Sequence, residues 1–486
     1  MILSKIKIPS LVIYCLLFVT AFLFVLFFSC TTSPFYEHYP FWFHGDSGIF
    51  QEMGVCILQG GTPYVDLFDH KGPILWFLQA LGIWISPNWG LMALQSFFLF
   101  ATLILWYKTI RLYIEKKWVI ILILGLGIFF LMCFYMRGNL CEEWSLPFIS
   151  WPIYIYSKRH KKSSILSISD SFIVGLCVGI LALIRMNNMA PFLGFVLWFY
   201  IIQIKESKWK QLIHSSLAMI VGVIVIFIPC ILYYYCKASW YGVEEMLFGT
   251  FGFNFNYISD HKDWGIVQWI QYNIPIAGLL LITCLCITKN YSGITIPTII
   301  SFIITYLTFG NRMFYHYIMI FIPLSIVTLC LLFKSYSKIG FIILGVVIIQ
   351  GGIVGYNAID CLAHRLLGNP VNTELNDGFH RFVNSIHTEE RKSIYNKGLN
   401  HMGPGLFADE NIIQCNRFIY KQHYELSPRL RKYQESHDIK YLKPVWVLTQ
   451  SLKPITTDSY LLSNYSICDS IPGGEFEPIW CWKRNQ

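Results

Sequence analysis

The sequence predicts a polytopic α-helical membrane protein that carries a small α/β domain at its C-terminal end. Of its 486 residues, 55% are hydrophobic and only 13% are charged, whereas charged residues make up about a quarter of an ordinary soluble domain. Apolar runs recur from residue 8 to about residue 357, and many approach the ~20 residues that a helix needs to cross the hydrocarbon layer. A single soluble globule is therefore excluded.

The apolar runs predict about 11 transmembrane helices, because backbone polar groups within lipid must be satisfied inside the spanning segment. A further apolar segment, 73–86, ends a long polar loop (30–88) and is interpreted as a juxtamembrane or re-entrant helix. Counting it as a span would invert every later loop. The predicted spans are 8–29, 89–107, 118–136, 143–156, 171–184, 189–203, 214–236, 266–288, 293–309, 314–333 and 339–357.

The distribution of basic residues predicts the orientation. With the N-terminus in the cytoplasm, the cytoplasmic loops carry 16 of the 22 Lys and Arg residues of segment 1–357 and only three of its 14 acidic residues, as the positive-inside rule requires. The loop 30–88 and the C-terminal domain are then expected outside. Short loops suit a bacterial inner membrane, and the basic surplus indicates loop topology rather than binding of nucleic acid.

Residues 358–486 differ in composition from the chain before them. They contain 15 basic and 14 acidic residues and no run long enough to span a membrane, so we expect a transmembrane domain over 1–357 and an extracytoplasmic α/β domain over 358–486. Strands are predicted at 393–396, 417–420 and 445–449, with a helix over 428–435 begun by Ser427. Positioning of a substrate, docking of a partner and a stabilising cap all remain open as roles of this domain.

The first exterior loop contains the richest polar pattern. It reads His-Gly-Asp-Ser-Gly at 44–48 and Asp-His-Lys-Gly-Pro at 69–73, directly before the apolar segment. A single span, an early acidic motif and a Lys-Pro-Pro-like signature in this order resemble the GT-C superfamily of membrane glycosyltransferases, in the branch of the protein O-mannosyltransferases and the aminoarabinose transferase of lipid A. The resemblance continues more loosely to about residue 330. Here the acidic pair is reduced to Asp46-Ser47, and the signature is Lys71-Gly72-Pro73.

The resemblance implies a GT-C fold, with exterior juxtamembrane helices in the first loop. It also implies transfer of a sugar from a polyprenyl-phosphate carrier to a protein, lipid or glycan acceptor at the outer face. A hydroxyl nucleophile must lose a proton as it attacks, and Asp46 is the matching general base. The phosphate leaving group needs positive charge rather than a proton donor, and attack opposite to it would invert the anomeric centre.

Further residues are expected around this reaction. Each also has a structural alternative: Asp46 as a helix cap, Lys71 as an interfacial anchor, and adjacent glutamates as favourable charges at a helix start. A divalent metal at Asp69 and His70 is possible, but two adjacent residues do not define a site, so no metal ligands are assigned. The expected phosphate-binding residues are Lys71, Arg312, Arg185 and His316, and those of the sugar or acceptor site are Glu142, Glu143, Asp69 and His70.

Two other classes of function compete with the enzyme. A secondary transporter or lipid-linked glycan flippase would also be polytopic, but transporters commonly contain internal repeats, and the first-loop pattern has no second copy. A receptor or scaffold that works through its C-terminal domain would not explain the acidic residues of the first exterior loop. No phosphate-binding glycine motif of a nucleotide site occurs in the chain, which argues against an ATP-driven pump.

Overall fold

The computed structural model describes residues 10–36, 45–162, 166–254, 266–287, 292–309, 314–368, 374–399, 403–450, 458–473 and 477–485. Helices dominate these residues, as predicted. In chain order they are α1 (Ser10–Phe28), α2 (Gly45–Leu58), α3 (Pro73–Ile85), α4 (Gly90–Tyr113), α5 (Lys117–Phe134), α6 (Cys141–Lys161), α7 (Ile168–Arg185), α8 (Ala190–Lys205), α9 (Trp209–Leu247), α10 (Ile266–Leu285), α11 (Ser292–Phe309), α12 (Ile322–Ser335), α13 (Lys338–Val354), α14 (Tyr356–Leu366), α15 (Glu374–Ser385), α16 (Thr388–Arg391), α17 (Gly403–Asp409), α18 (Lys421–Glu425), α19 (Pro428–Ser436), α20 (Ile439–Leu442) and α21 (Ser459–Asn464).

The chain divides into two compact units. The first unit comprises Met1–Phe28, Ala93–Pro229 and His261–Ala363, and the second comprises Ser29–Met92, Cys230–Asp260 and His364–Gln486. The second unit therefore joins the first loop and the end of α9 to the C-terminal tail. The predicted domain boundary at residue 358 stays a prediction.

Seven helical stretches among the described residues are long and apolar enough to cross a membrane, or eight if one bent pair counts as a span. One of the seven, 168–205, contains two of the predicted spans. The chain is thus a multi-pass membrane protein, while the count of eleven and the orientation stay predictions. The segment 73–86 forms a separate apolar helix of 13 residues, α3, with Pro73 in its first turn.

Glycines allow helices of the first unit to approach closely. A Cβ atom on Gly175 of α7 would lie 2.1 Å from the carbonyl oxygen of Met219 on α9, and one on Gly194 of α8 would lie 2.4 Å from the backbone nitrogen of Ser301 on α11. Such contacts between small residues and backbone are typical of membrane helices, which associate by close packing.

The C-terminal part of the second unit contains a four-stranded sheet in the order β1-β2-β4-β3. Its strands are β1 (Ile394–Asn396), β2 (Trp446–Thr449), β3 (Tyr465–Ile471) and β4 (Ile479–Arg484). β1 and β2 are parallel, whereas β4 is antiparallel to β2 and β3. Alternate residues of β2 serve two cores, because Leu448 packs with Phe379 of α15 while Val447 packs with Leu461 of α21. The predicted α/β fold of the tail is confirmed.

The individual elements of the tail were predicted unequally. The strands at 393–396 and 445–449 and the helix at 428–435 are present, and the Ser427 hydroxyl accepts from the Leu430 N–H at the helix start. The predicted strand at 417–420 was wrong: Phe418 forms an isolated bridge with Phe68 of the first loop. β3 and β4 were not predicted, and the middle of β3 is exposed, which leaves it little apolar patterning.

Candidate functional site

The candidate base lies at the start of α2. Asp46 is half-buried in the first turn of this helix. The next residue is fully buried, and the Ser47 hydroxyl donates to the Thr31 hydroxyl at 2.8 Å. A Cβ atom on Gly48 would lie 2.8 Å from the backbone nitrogen of Gly405, so α2 packs closely on α17. The first turn of α2 is therefore held in place on two sides.

Lys71 is buried with only 8% of its surface exposed. Its backbone is held by Tyr64, whose hydroxyl donates to the Lys71 carbonyl oxygen at 2.5 Å and accepts from the Trp76 indole at 3.0 Å. The Lys71 Nζ atom lies 2.9 Å from His70 Nε2 and 6.0 Å from the centroid of the Phe50 ring. Phe50 follows Asp46 by one helical turn, so both project from the same face of α2.

Asp69 is the charged centre of a buried cluster in the second unit. Its Oδ1 atom lies 3.4 Å from both His70 Nδ1 and His423 Nε2, and its Oδ2 atom accepts from the Lys71 backbone N–H at 3.1 Å. Burial opposes ionisation, but the charge of Lys71 lowers the pKa of the Asp69 carboxyl well below its usual value. Burial, followed by Lys71, lowers the pKa of His70 to about 4.

These shifts give each group a definite state at neutral pH. Asp69 is ionised and His70 is neutral, so His70 Nε2 can accept a hydrogen bond from the Lys71 ammonium group. The ring proton of His70 then sits on Nδ1, on the side of Asp69. Asp69 and His70, the two residues before Lys71, therefore orient Lys71 through these contacts.

The same cluster has the composition of a metal site. Asp69, His70 and His423 offer one ligand atom each, and these atoms lie within 4.8 Å of one another. A carboxylate with two imidazoles suits a divalent transition metal, so the three residues could hold one. The sequence indicated the first two residues but not His423, which lies in the tail and has no local motif around it.

A second cluster of site residues lies in the first unit and centres on Glu142. This carboxylate is 1% exposed, forms an ion pair with Arg185, and has its Oε2 atom 4.0 Å from His316 Nε2. The Arg185 guanidinium also lies over the Tyr317 ring, 4.1 Å from its centroid. Three residues predicted from separate parts of the sequence are thus brought together, and Tyr317 joins them. Arg312 lies outside the described residues.

Glu143 has a different environment from its neighbour. It accepts two hydrogen bonds of 3.0 Å from the Gln95 amide, one of 2.7 Å from the Asn139 N–H, and one from the Tyr135 hydroxyl. Its hydrogen-bonding capacity is therefore occupied by neutral donors. This pattern indicates that Glu143 anchors the start of α6, whereas Glu142 belongs to the charged cluster.

The turn before α6 is strained. Four successive residues, 136–139, have positive φ angles of 43°, 69°, 88° and 57°, although only Gly138 is a glycine. Left-handed non-glycine residues cost free energy and occur often at functional sites. Arg137 within this turn interacts electrostatically with Tyr315; it was not singled out from the sequence, because a lone arginine in a loop carries no pattern.

Comparison with known proteins identifies the fold. No protein-family model matches the chain, and neither does any curated protein. Two solved structures of ArnT from Cupriavidus metallidurans match it over 97% of its length and 98% of theirs. The apo structure has a TM-score of 0.61 at 12% identity, and the structure bound to undecaprenyl phosphate has a TM-score of 0.57 at 10% identity.

ArnT is the aminoarabinose lipid A transferase and belongs to the GT-C superfamily. The resemblance noted in the first loop pointed to this branch, and the likeness now extends over nearly the whole chain. The chain therefore has an ArnT-like fold over nearly its whole length, as the resemblance in its first loop implied.

Proposed function

We propose that this protein is an inverting glycosyltransferase that moves a sugar from a polyprenyl-phosphate carrier to an acceptor at the outer face of a bacterial inner membrane. The observation that carries the proposal is the fold likeness over 97% of the chain to ArnT, one structure of which contains undecaprenyl phosphate. The buried Asp69-His70-Lys71 cluster supports it independently, because a desolvated ammonium group interacts strongly with phosphate oxygens.

The proposed step needs one base and several cations. An acceptor nucleophile such as a hydroxyl attacks the anomeric carbon, and its proton passes to the Asp46 carboxylate. The bond between the anomeric carbon and the phosphate oxygen breaks on the opposite side, and the carrier leaves as polyprenyl phosphate. Both electrons of that bond remain on the phosphate oxygen, so the departing group gains negative charge that a cation must meet.

Lys71 and Arg312 receive that charge in this proposal, and Arg185 and His316 assist them. In the described cluster, Glu142 pairs with Arg185 and lies near His316. A carboxylate that shares a guanidinium with a ligand keeps the guanidinium oriented when the ligand is absent. Asp69 and His70 orient Lys71. Glu142 is the acid that we assign to the sugar site, in addition to its ion pair with Arg185.

The experiment measures transfer from a radiolabelled polyprenyl-phosphate sugar by purified protein in lipid nanodiscs. We expect Asp46→Asn to lower turnover by at least about a hundredfold, since loss of a positioned general base typically costs that much. Glu244→Gln, which neutralises an exposed carboxylate elsewhere in the second unit, is the control and should retain turnover.

Normal turnover in a folded Asp46→Asn variant would place the base elsewhere. Movement of the intact lipid-linked sugar across the membrane of sealed proteoliposomes, without any transfer, would instead identify a flippase. The stereochemistry of the product, read by nuclear magnetic resonance of the anomeric proton, tests inversion separately.

A further inference from the structure

The C-terminal sheet has a cleft at the carboxyl ends of its two parallel strands. Asn396 ends β1, Gly398 follows it, and Gln450 follows β2, and all three line a cavity of about 770 Å³. Residues of α18 and α19 form its walls. Ligands of open α/β sheets bind in the crevice outside the carboxyl ends of parallel strands, and the volume lies within the range of small-molecule sites.

Buried carboxamides organise the floor of the cleft. The Asn396 side chain donates to Gln414 Oε1 at 2.8 Å, and the Asn416 Oδ1 atom accepts from the Asn396 N–H at 2.8 Å. The Asn416 side chain also donates to the carbonyl oxygens of Asn396 and Phe418 at 3.2 and 3.0 Å. Because these amides are fixed by one another, the floor has a defined shape before any ligand enters.

A hydrogen-bonded relay continues this polar surface onto one wall. Gln434 of α19 donates to the Tyr395 hydroxyl at 2.9 Å, and that hydroxyl donates to Asp438 Oδ1 at 3.4 Å. The cleft is therefore lined by amides, a carboxylate and a phenol, beside the rings of Phe418 and Tyr424. Side chains that both donate and accept hydrogen bonds, next to aromatic rings, match a ligand whose hydroxyl groups surround a ring with apolar faces.

The charges around the cleft are balanced. Its lining contains three cations and three acids, and the cations are already engaged: Lys397 pairs with Asp458, Lys421 lies 2.7 Å from Glu425, and Arg431 donates to the Glu425 carbonyl oxygen at 2.5 Å. No single sign of charge dominates, so an anionic or cationic ligand gains little here. A neutral ligand is favoured.

An extended peptide does not suit this position. Peptides commonly bind to a sheet by adding a strand to an open edge. The outer edge of β1 is already covered, because the Cys415 N–H donates to the Ile394 carbonyl oxygen at 2.8 Å and Asn416 bonds to Asn396 as described above. The cleft is open at the strand ends and not along this edge.

We propose that the cleft binds a neutral carbohydrate chain. Its further role as the acceptor site of the transfer reaction rests on the proposed function. Binding itself does not, because it depends only on the contacts within the C-terminal sheet and its helices.

The test uses the full-length protein in nanodiscs made of phospholipid alone, since detergents with sugar head groups would compete. The probe is a glycan array of neutral oligosaccharides of hexoses and N-acetylhexosamines, followed by calorimetry with each glycan that binds. Glu435→Trp places a bulky ring at the rim of the cleft, and we expect it to weaken binding at least tenfold. Lys432 lies on the same helix but does not line the cleft, so the Lys432→Trp variant should bind glycan like the natural protein.

Lys421→Trp provides a second blocking variant on another wall helix and should also weaken binding at least tenfold. Absence of neutral-glycan binding on the array, or equal affinity in the natural protein and both blocking variants, would overturn the proposal. Donor turnover is measured on the same preparations. Glycan binding without any transfer would support the binding site in the cleft and contradict the proposed enzyme function. Transfer without glycan binding would support the enzyme function and contradict the binding site.

Discussion

The two units stabilise their buried carboxylates in different ways. Among the described residues of the first unit, Glu142 has a guanidinium and a nearby imidazole as partners, while Glu143 accepts from neutral donors. In the second unit, Glu245 is paired with two arginines, and Asp69 lies among a lysine and two histidines. A buried carboxylate is expensive unless it is paired or hydrogen-bonded. The number and charge of its partners therefore indicate how much each site loses when the acid is neutralised.

The largest expected effect is on stability and involves Glu245. It lies 2% exposed at the end of α9 and pairs with Arg417, which is 3% exposed, and with Arg429. Glu245→Gln would leave a buried guanidinium without its carboxylate, which typically costs about 3–5 kcal/mol. Glu244→Gln is the matched control, because Glu244 is exposed and, within the described ranges, forms its one ion pair with Arg429. Thermal unfolding of both variants in nanodiscs measures the difference, and equal midpoints would contradict the structural role of the buried pair.

The next effect separates the adjacent glutamates of α6 by activity. Because Glu142 holds Arg185 and Glu143 bonds only neutral donors, we expect Glu142→Gln to lower transfer by about a hundredfold, or about 2.7 kcal/mol at 1.36 kcal/mol per factor of ten. Glu143→Gln should mainly lower the unfolding midpoint. The measurement is turnover per folded molecule, with folding checked by size-exclusion chromatography. A larger loss of turnover in Glu143→Gln would reverse the assignment of roles.

The sequence singled out residues of both clusters, but it could not separate the roles of the two adjacent glutamates. Asp46 and Lys71 stand out because they belong to a continuous loop pattern, and Arg185 because it interrupts apolar segments. Glu142 and Glu143 are equivalent in sequence, since both occupy the first turn of α6 and differ only in the direction they face. Glu142 faces Arg185 and Glu143 faces Gln95, and both partners are distant in the sequence.

Long-range contacts explain what was missed in the second unit. His423 reaches Asp69 across more than 350 positions of the sequence, and no spacing rule covers such a pair. The segment 417–420 has strand-like residues, yet its backbone contact is with the first loop, where Phe68 donates to the Arg417 carbonyl oxygen at 2.8 Å. Tertiary packing thus overrode a local preference that the isolated segment still has.

A smaller effect is expected where one cation acts together with others. Lys71→Met removes the ammonium group but keeps the length of the side chain, and we expect about a tenfold loss of turnover, since Arg312 and Arg185 remain. The His70→Asn variant tests whether the effect is one of positioning, because it removes the 2.9 Å contact and leaves the charge. We expect a milder loss in His70→Asn than in Lys71→Met, measured as turnover against donor concentration. An equal or larger loss in His70→Asn would indicate that the imidazole takes part in the reaction itself and does not act by positioning Lys71.

The last effect depends on pH and concerns Glu52, whose carboxylate lacks a cationic partner among the described contacts. It is fully buried, accepts only the Gln414 N–H at 3.4 Å, and its other oxygen has no hydrogen bond. Burial raises its pKa to about 8, so the folded protein keeps this proton while the unfolded chain releases it near pH 4.5. The folded state then binds more protons than the unfolded state between these values, and its stability falls as pH rises through that window and levels off above about 8. Glu52→Gln removes the titration and should raise the unfolding midpoint by about a few degrees at pH 9 while leaving it nearly unchanged at pH 4. Identical pH profiles of the two proteins would show that Glu52 is ionised in the fold and that a partner stabilises its charge.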